Sequence, residues 1–273
     1  MQNFNPSSPF SVIRSLVAHR NIVFQFTRRE VAGRYKGSVL GVFWSLVNPL
    51  LLLGVYTFVF GVVFKSRWRP TSTDHFEFAV VMFVGLISHS LLAECINRAP
   101  NLIVNNTNLV KRVVFPLQAL AWVTVGTALF HLAVASVILV CAVLLWQHTI
   151  PVTALLAPVI LIPFMLAIVG AVWALMSLGV YLRDIGQLTG LLTSILMFLA
   201  PVFYPISSVP PRFQVFIYLN PLTFVIEQLR DVIVWGRGPD WIGLLIYLAI
   251  GYLVAWTGLW CFERTRRGFA DVL

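Results

Sequence analysis

The chain carries ten carboxylates and five histidines in 273 residues, and few of them are placed to do chemistry. His19, His75, His89, His131 and His148 each lack a second ligand at helical spacing, so no metal site is expected. No phosphate-cradling loop of the form G-x-x-x-x-G-K followed by Ser or Thr occurs, so nucleotide hydrolysis is not expected of this chain and it needs no cofactor of its own. Cys95, Cys141 and Cys261 lie far apart in or beside apolar runs and read as small core-filling residues, not as a disulfide framework. His131 and Glu94 are the ionisable groups set deepest in apolar sequence. His131 is either a proton relay or a satisfied packing residue. With almost no carboxylate near mid-membrane, proton-driven transport lacks its parts, and a separate ATPase would have to supply the energy.

The elements that must position these groups are membrane helices. The composition is 59% hydrophobic and only 11% charged, with mean hydropathy +0.88. Soluble domains hold about 25% charged residues, so this chain could not cover a water-facing surface. The net charge of +9 is the excess of cytoplasmic loops in membrane proteins rather than a nucleic-acid footprint. The first residues have no secretory-signal pattern.

About 20 apolar residues cross the hydrocarbon, and six segments qualify: 39–64, 76–96, 113–146, 151–180, 188–205 and 241–262. The expected fold is all-α and polytopic. Residues 1–38 form a cytoplasmic N-terminal region, 39–262 a six-span domain and 263–273 a cytoplasmic tail. The loops that share a side with both termini hold the larger share of Lys and Arg, which puts both termini in the cytoplasm. Arg183 and Asp184 then form a tight cytoplasmic turn. Residues 206–236 are apolar but carry Asn220, Pro221, Glu227, Arg230 and Asp231; a seventh span would bury those charges at a cost of several kcal/mol. Two short helices that dip in from the outer face and break at Asn220-Pro221 are expected. Asn220, Pro221, Glu227 and Arg230 are the candidate outer gate, at a pore mouth or a subunit interface; the plain alternative is an interfacial helix without a gating role.

Ahead of the first span, Arg28, Arg29, Arg34 and Lys36 run directly into apolar sequence. At 100° per residue Phe24, Val31 and Tyr35 share a face, with Arg29 and Lys36 opposite. That is an amphipathic helix in the inner headgroup layer, its basic residues meeting anionic lipid. Gly33, Gly37 and Gly41 recur every four residues, a spacing that allows close helix approach.

RYKGSVLGVFWSLVNPLL (34–51) resembles the start of the permease subunits of type-2 ABC exporters that move bacterial polysaccharides, through Arg34, Tyr35, Leu40, Gly41, Trp44 and Pro49. NNTNLVKRVVFP (105–116) is similar to that family's ATPase-docking segment, YLRDIGQL (181–188) to its turn after the fourth span, and APVFYPISSVPP (200–211) with YLNPLT (218–223) to its outer-face re-entrant segment. The resemblance covers about residues 20–270. It implies a homodimer in the bacterial inner membrane, with spans one and five facing a channel on the two-fold axis. Two copies of an ATPase would bind ATP and Mg, and the cargo would be a polyprenyl-linked polysaccharide: O antigen, capsule or teichoic acid. Docking would fall on 97–112, with Asn105, Asn106, Asn108, Lys111 and Arg112 as its contacts. Sugars stack on aromatic rings, so Phe43, Trp44, Tyr56 and Phe60 on span one, with Met197, Phe198, Phe203 and Tyr204 on span five, are the candidate channel lining. A small-molecule permease and a non-transporting membrane scaffold stay open as alternatives.

Overall fold

A computed structural model describes residues 10–65, 68, 75–111 and 115–273. Those residues are helical with no strand. In chain order the helices are α1 (Ser11–Tyr35), α2 (Trp44–Tyr56), α3 (His75–Arg98), α4 (Thr107–Lys111), α5 (Ala119–Gln147), α6 (Ala157–Tyr181), α7 (Ile185–Leu199), α8 (Pro211–Tyr218), α9 (Pro221–Ile233), α10 (Trp241–Thr265) and α11 (Phe269–Val272). Five stretches among them are long and apolar enough to cross a membrane: Gly41–Val63, Phe76–Asn101, Ala119–Gln147, Val152–Tyr181 and Trp241–Gly268. α7 has 15 residues, which at 1.5 Å each is about 22 Å, short of a full crossing; an extended break at Ala200 follows it.

Backbone chemistry sets several of these limits. α2 continues into a π-helical stretch, Thr57–Val63, where Phe64 N–H bonds Val59 C=O across five residues. The wider turn brings Tyr56, Phe60 and Phe64 into a row, with ring centroids 6.2 and 5.7 Å apart. α6 contains Pro163, whose own carbonyl faces Gly251 of α10. α6 and α10 pack along most of their length because Gly170, Gly251 and Gly258 let the two backbones approach; a Cβ at any of them would strike the other helix's backbone. Gly33, Gly37 and Gly41 do not play that part, contrary to the expectation from their spacing. Nothing lies within 4 Å of a Cβ at any of the three. The helix has ended at Tyr35, and Gly37 (φ +86°) and Gly41 (φ +52°) turn the chain toward span one in the left-handed region that glycine tolerates. Of the cysteines, Cys95 is a core residue, but Cys141 is exposed.

One end of the bundle gathers α1, the end of α3, α4, the start of α5, the turn Leu182–Asp184 and the tail. Tyr181 Oη donates to Thr265 C=O at 3.0 Å, and Arg266 Nη1 reaches Gln118 Oε1 at 3.2 Å. The opposite end gathers the end of α5, α8, α9 and the start of α10. There Gln147 and Thr153 donate to Val234 and Val232 C=O, and Tyr247 Oη to Pro221 C=O.

Candidate functional site

α1 lies obliquely across α5, as contacts from Ser15 to Arg34 fall on α5 between Trp122 and His131. Trp122 Nε1 donates to Ser15 Oγ at 3.0 Å, and Thr27 sits over Gly126. The face turned to the bundle is Phe26, Thr27, Glu30 and Arg34; Phe26 meets Phe115 at 5.0 Å. The Phe24/Val31/Tyr35 stripe is therefore not one surface: Phe24 is 69% exposed, while Tyr35 faces the bundle. The helix's outward apolar stripe is Phe10, Ile13, Val17 and Phe24, all exposed at helical spacing. Arg28, Arg29 and Lys36 are exposed beside it.

At the junction of α1, α3 and α5 the ionisable groups meet. Arg34 Nη1 is 2.7 Å from Glu94 Oε1, and Arg98 pairs with Glu30. Each glutamate stands four residues before an arginine on its own helix, and each arginine also reaches across to the other helix's glutamate. The four charges cancel, so the exchange crosslinks α1 to α3 without leaving a net charge. His131 completes the group. Burial pushes the Tyr35 phenol above its ordinary value, and its Oη lies 3.0 Å from His131 Nε2. Glu94 Oε2, 2.8 Å from His131 Nδ1, is a carboxylate oxygen and accepts, so Nδ1–H is the donor there. Glu30 and Arg98 were missed in sequence; the matched spacings Glu30/Arg34 and Glu94/Arg98 were the available signal.

Below this cluster a groove of about 890 Å³ runs between α1 and the segment after α3. Asn105, Asn106 and Asn108 line it together with Arg29, Arg34 and Asn101. The docking candidates and part of the basic helix thus share one surface. Lys111 ends α4, while Arg112 lies outside the described residues. Arg183 and Asp184 are exposed in the turn between α6 and α7 on the same end of the bundle.

The aromatic candidates divide. Phe60 stacks on Phe203 at 4.9 Å and 13°, Tyr56 and Phe198 close on the same ring, and Tyr204 Oη donates to Phe198 C=O. They tie span one to the break after α7. Met197 is half-buried, whereas Phe43, Trp44 and Phe198 keep exposed faces.

At the other end, α8 and α9 are two short helices separated by Leu219-Asn220, one residue ahead of the break expected at Asn220-Pro221. Asn220 caps α9 by accepting from Leu222 N–H and donates to Leu196 C=O at 2.8 Å; Pro221 begins the helix. Arg230 is fully buried. It donates to Val81 C=O at 3.0 Å and Val202 C=O at 3.3 Å, pairs with Glu227 at 2.9 Å and lies 4.1 Å over the Trp68 ring. These contacts anchor α9 on α3 and on the segment that follows α7. Of the four outer candidates, only Glu227 offers a partly exposed charge.

A family model described as ABC-2 type transporter matches residues 22–234. The chain belongs to the ABC-2 type transporter family. Similar proteins include an O-antigen export system permease of Myxococcus xanthus, 25% identical over 95% of this chain and 98% of that protein. A polysialic acid transport protein of Escherichia coli is 24% identical over 83% of this chain and 86% of its own length. A capsule polysaccharide export inner-membrane protein of Neisseria meningitidis is 23% identical over 79% and 80%. In this ABC-2 chain the match runs from the middle of α1 through the groove beside α4 to the end of α9.

Proposed function

We propose that this chain is the membrane subunit of an ATP-driven exporter that carries a lipid-linked polysaccharide, O antigen in first place, across the bacterial inner membrane. The carrying observation is the near end-to-end similarity to an O-antigen export permease. Six crossings complete this reading. α7 leads from Gly186, beside Asn101 at one end, to Leu196, bonded to Asn220 at the other, so it travels the bundle's height despite its length. α1 and the tail then share the cytoplasmic side, and α8–α9 form the re-entrant outer segment.

Two copies of an ATPase bind ATP and Mg and seat in the groove at Asn105, Asn106 and Asn108. The exposed flanks of span one and α7 face a second copy of this chain, with the cargo path between them. α1 rests in the inner headgroup layer through Phe10, Ile13, Val17 and Phe24. Because Arg34 and Glu94 join α1 to α3, movement of the docking segment reaches the interfacial helix without a flexible joint between them.

The test is reconstitution of this chain with its host's ATPase in proteoliposomes carrying the host's lipid-linked glycan. ATP-dependent transfer of glycan across the bilayer is expected, and its loss with Asn105→Ala/Asn108→Ala is expected to accompany loss of ATPase co-purification. Transfer that proceeds without ATP, or no transfer at all, overturns the reading.

A further inference from the structure

On the membrane side of the ion cluster, spans one, two and three enclose a cavity of about 560 Å³, inside the roughly 300–1,000 Å³ range of small-molecule sites. One wall is apolar, with Leu52, Phe83 and Leu132 among its members. The other presents Trp44, Asn48, Ser90 and the group Arg34, Glu94 and His131.

The charged members of that wall are committed to one another. Arg34 faces Glu94 at 2.7 Å, and His131 is held between Tyr35 and Glu94. The cavity therefore offers no unpaired cation for a phosphate or a carboxylate. Asn48 and Ser90 are in the opposite condition. Neither side chain makes a hydrogen bond among the described residues. Asn48 supplies two donors and an acceptor, and Ser90 a donor and an acceptor. Polar groups set in membrane helices cost free energy unless something bonds them. Trp44 adds an exposed indole face on the same helical side as Asn48, four residues on.

The geometry points to a binding site for an uncharged, hydroxyl-rich ring, a sugar unit. Its hydroxyls bond Asn48 and Ser90, and its C–H face lies against Trp44. An acyl chain would fit the apolar wall but leave both polar side chains unsatisfied. A charged headgroup would meet an Arg34 whose charge Glu94 already neutralises. The inference rests on the exporter reading and names the part of the cargo that this chain itself reads. Sequence inspection did not find this polar set because its members come from separate spans.

The test is saturation-transfer NMR on the permease–ATPase complex in nanodiscs. The probes are the methyl glycosides of glucose, galactose, mannose, rhamnose and N-acetylglucosamine. Transfer to the ring C–H protons of at least one glycoside is expected. It should fall about fivefold or more in Asn48→Ala and in Ser90→Ala, and return in Ser90→Thr. Both alanine changes sit at exposed positions, and ATPase co-purification reports that each variant is assembled. Absence of transfer from every glycoside, transfer equal to wild type in both variants, or phospholipid that co-purifies with wild type and is lost with Asn48→Ala overturns the site. Glycan translocation by the same preparations separates the two readings. If wild type translocates glycan while both variants match it in rate and in sugar binding, the site fails and the exporter stands. If wild type does not translocate, the exporter reading fails.

Discussion

Spans one and two are almost equally apolar, with mean hydropathies of 2.1 and 2.0 over their most apolar stretches, yet 6% of the first and 78% of the second is buried within the chain. Hydropathy alone cannot separate them, because lipid and protein interior favour the same side chains. Their partners do. Span two is enclosed by α5, α6, α7 and α9, and its backbone receives Arg230 at one end while its side chains hold Arg34 and His131 at the other. Span one touches the bundle through Tyr56, Phe60 and a few neighbours, and Leu50, Leu51, Val55, Phe58 and Val62 stay exposed. Span two is the post on which both ends of the chain are mounted. Span one is the wall turned to lipid or to a second copy.

The largest expected effect falls on the post. Arg230→Ala leaves the Val202 carbonyl without its side-chain donor, removes the extra bond to Val81 C=O and leaves a void, at a cost of about 3–5 kcal/mol, read as a lower thermal unfolding temperature in detergent. An unchanged temperature would break the contrast outright. Next is the seam beside it: Gly170→Leu forces α6 from α10 and should cost about 1–3 kcal/mol or prevent folding, measured the same way. Glu94→Gln should be smaller and more local. It weakens, without removing, charge-assisted bonds that are worth about 1.5–3 kcal/mol each when intact, and faster hydrogen exchange in residues 11–35 than in span two is the sign to seek. The smallest change belongs to the wall. Val55→Ala should move unfolding of the single chain by no more than about 0.5 kcal/mol. Phe58→Cys, at the same surface, should crosslink two copies in membranes if span one faces its counterpart, and its failure to do so in any detergent-free preparation would assign that face to lipid.

Much of this was legible beforehand. Apolar runs marked the long helices, and Asn220-Pro221 marked the break between α8 and α9, because proline needs no N–H at a helix start. Contacts between distant segments were less so. Arg34, Glu94 and His131 each stood out singly, but only the crossing of α1 over α5 puts them within bonding distance. Arg230 stood out as a charge in the apolar stretch 206–236 that a seventh span would bury; that its guanidinium bonds two backbone carbonyls is announced by no local pattern. The Gly33/Gly37/Gly41 spacing misled because periodicity presumes a continuing helix, and this one stops at Tyr35. Gly170 and Gly258 do the close packing from two segments with no shared motif.

Polymer location after deletion of this gene in its host tests the central claim most directly. Lipid-linked glycan would be extracted and assigned to the cytoplasmic or the outer face of the inner membrane, with and without the wild-type gene restored. Export by this chain predicts polymer held on its lipid at the cytoplasmic face in the deletion strain, and released to the surface on restoration. Normal surface polymer in the deletion strain would contradict polysaccharide export and assign the same architecture to another cargo.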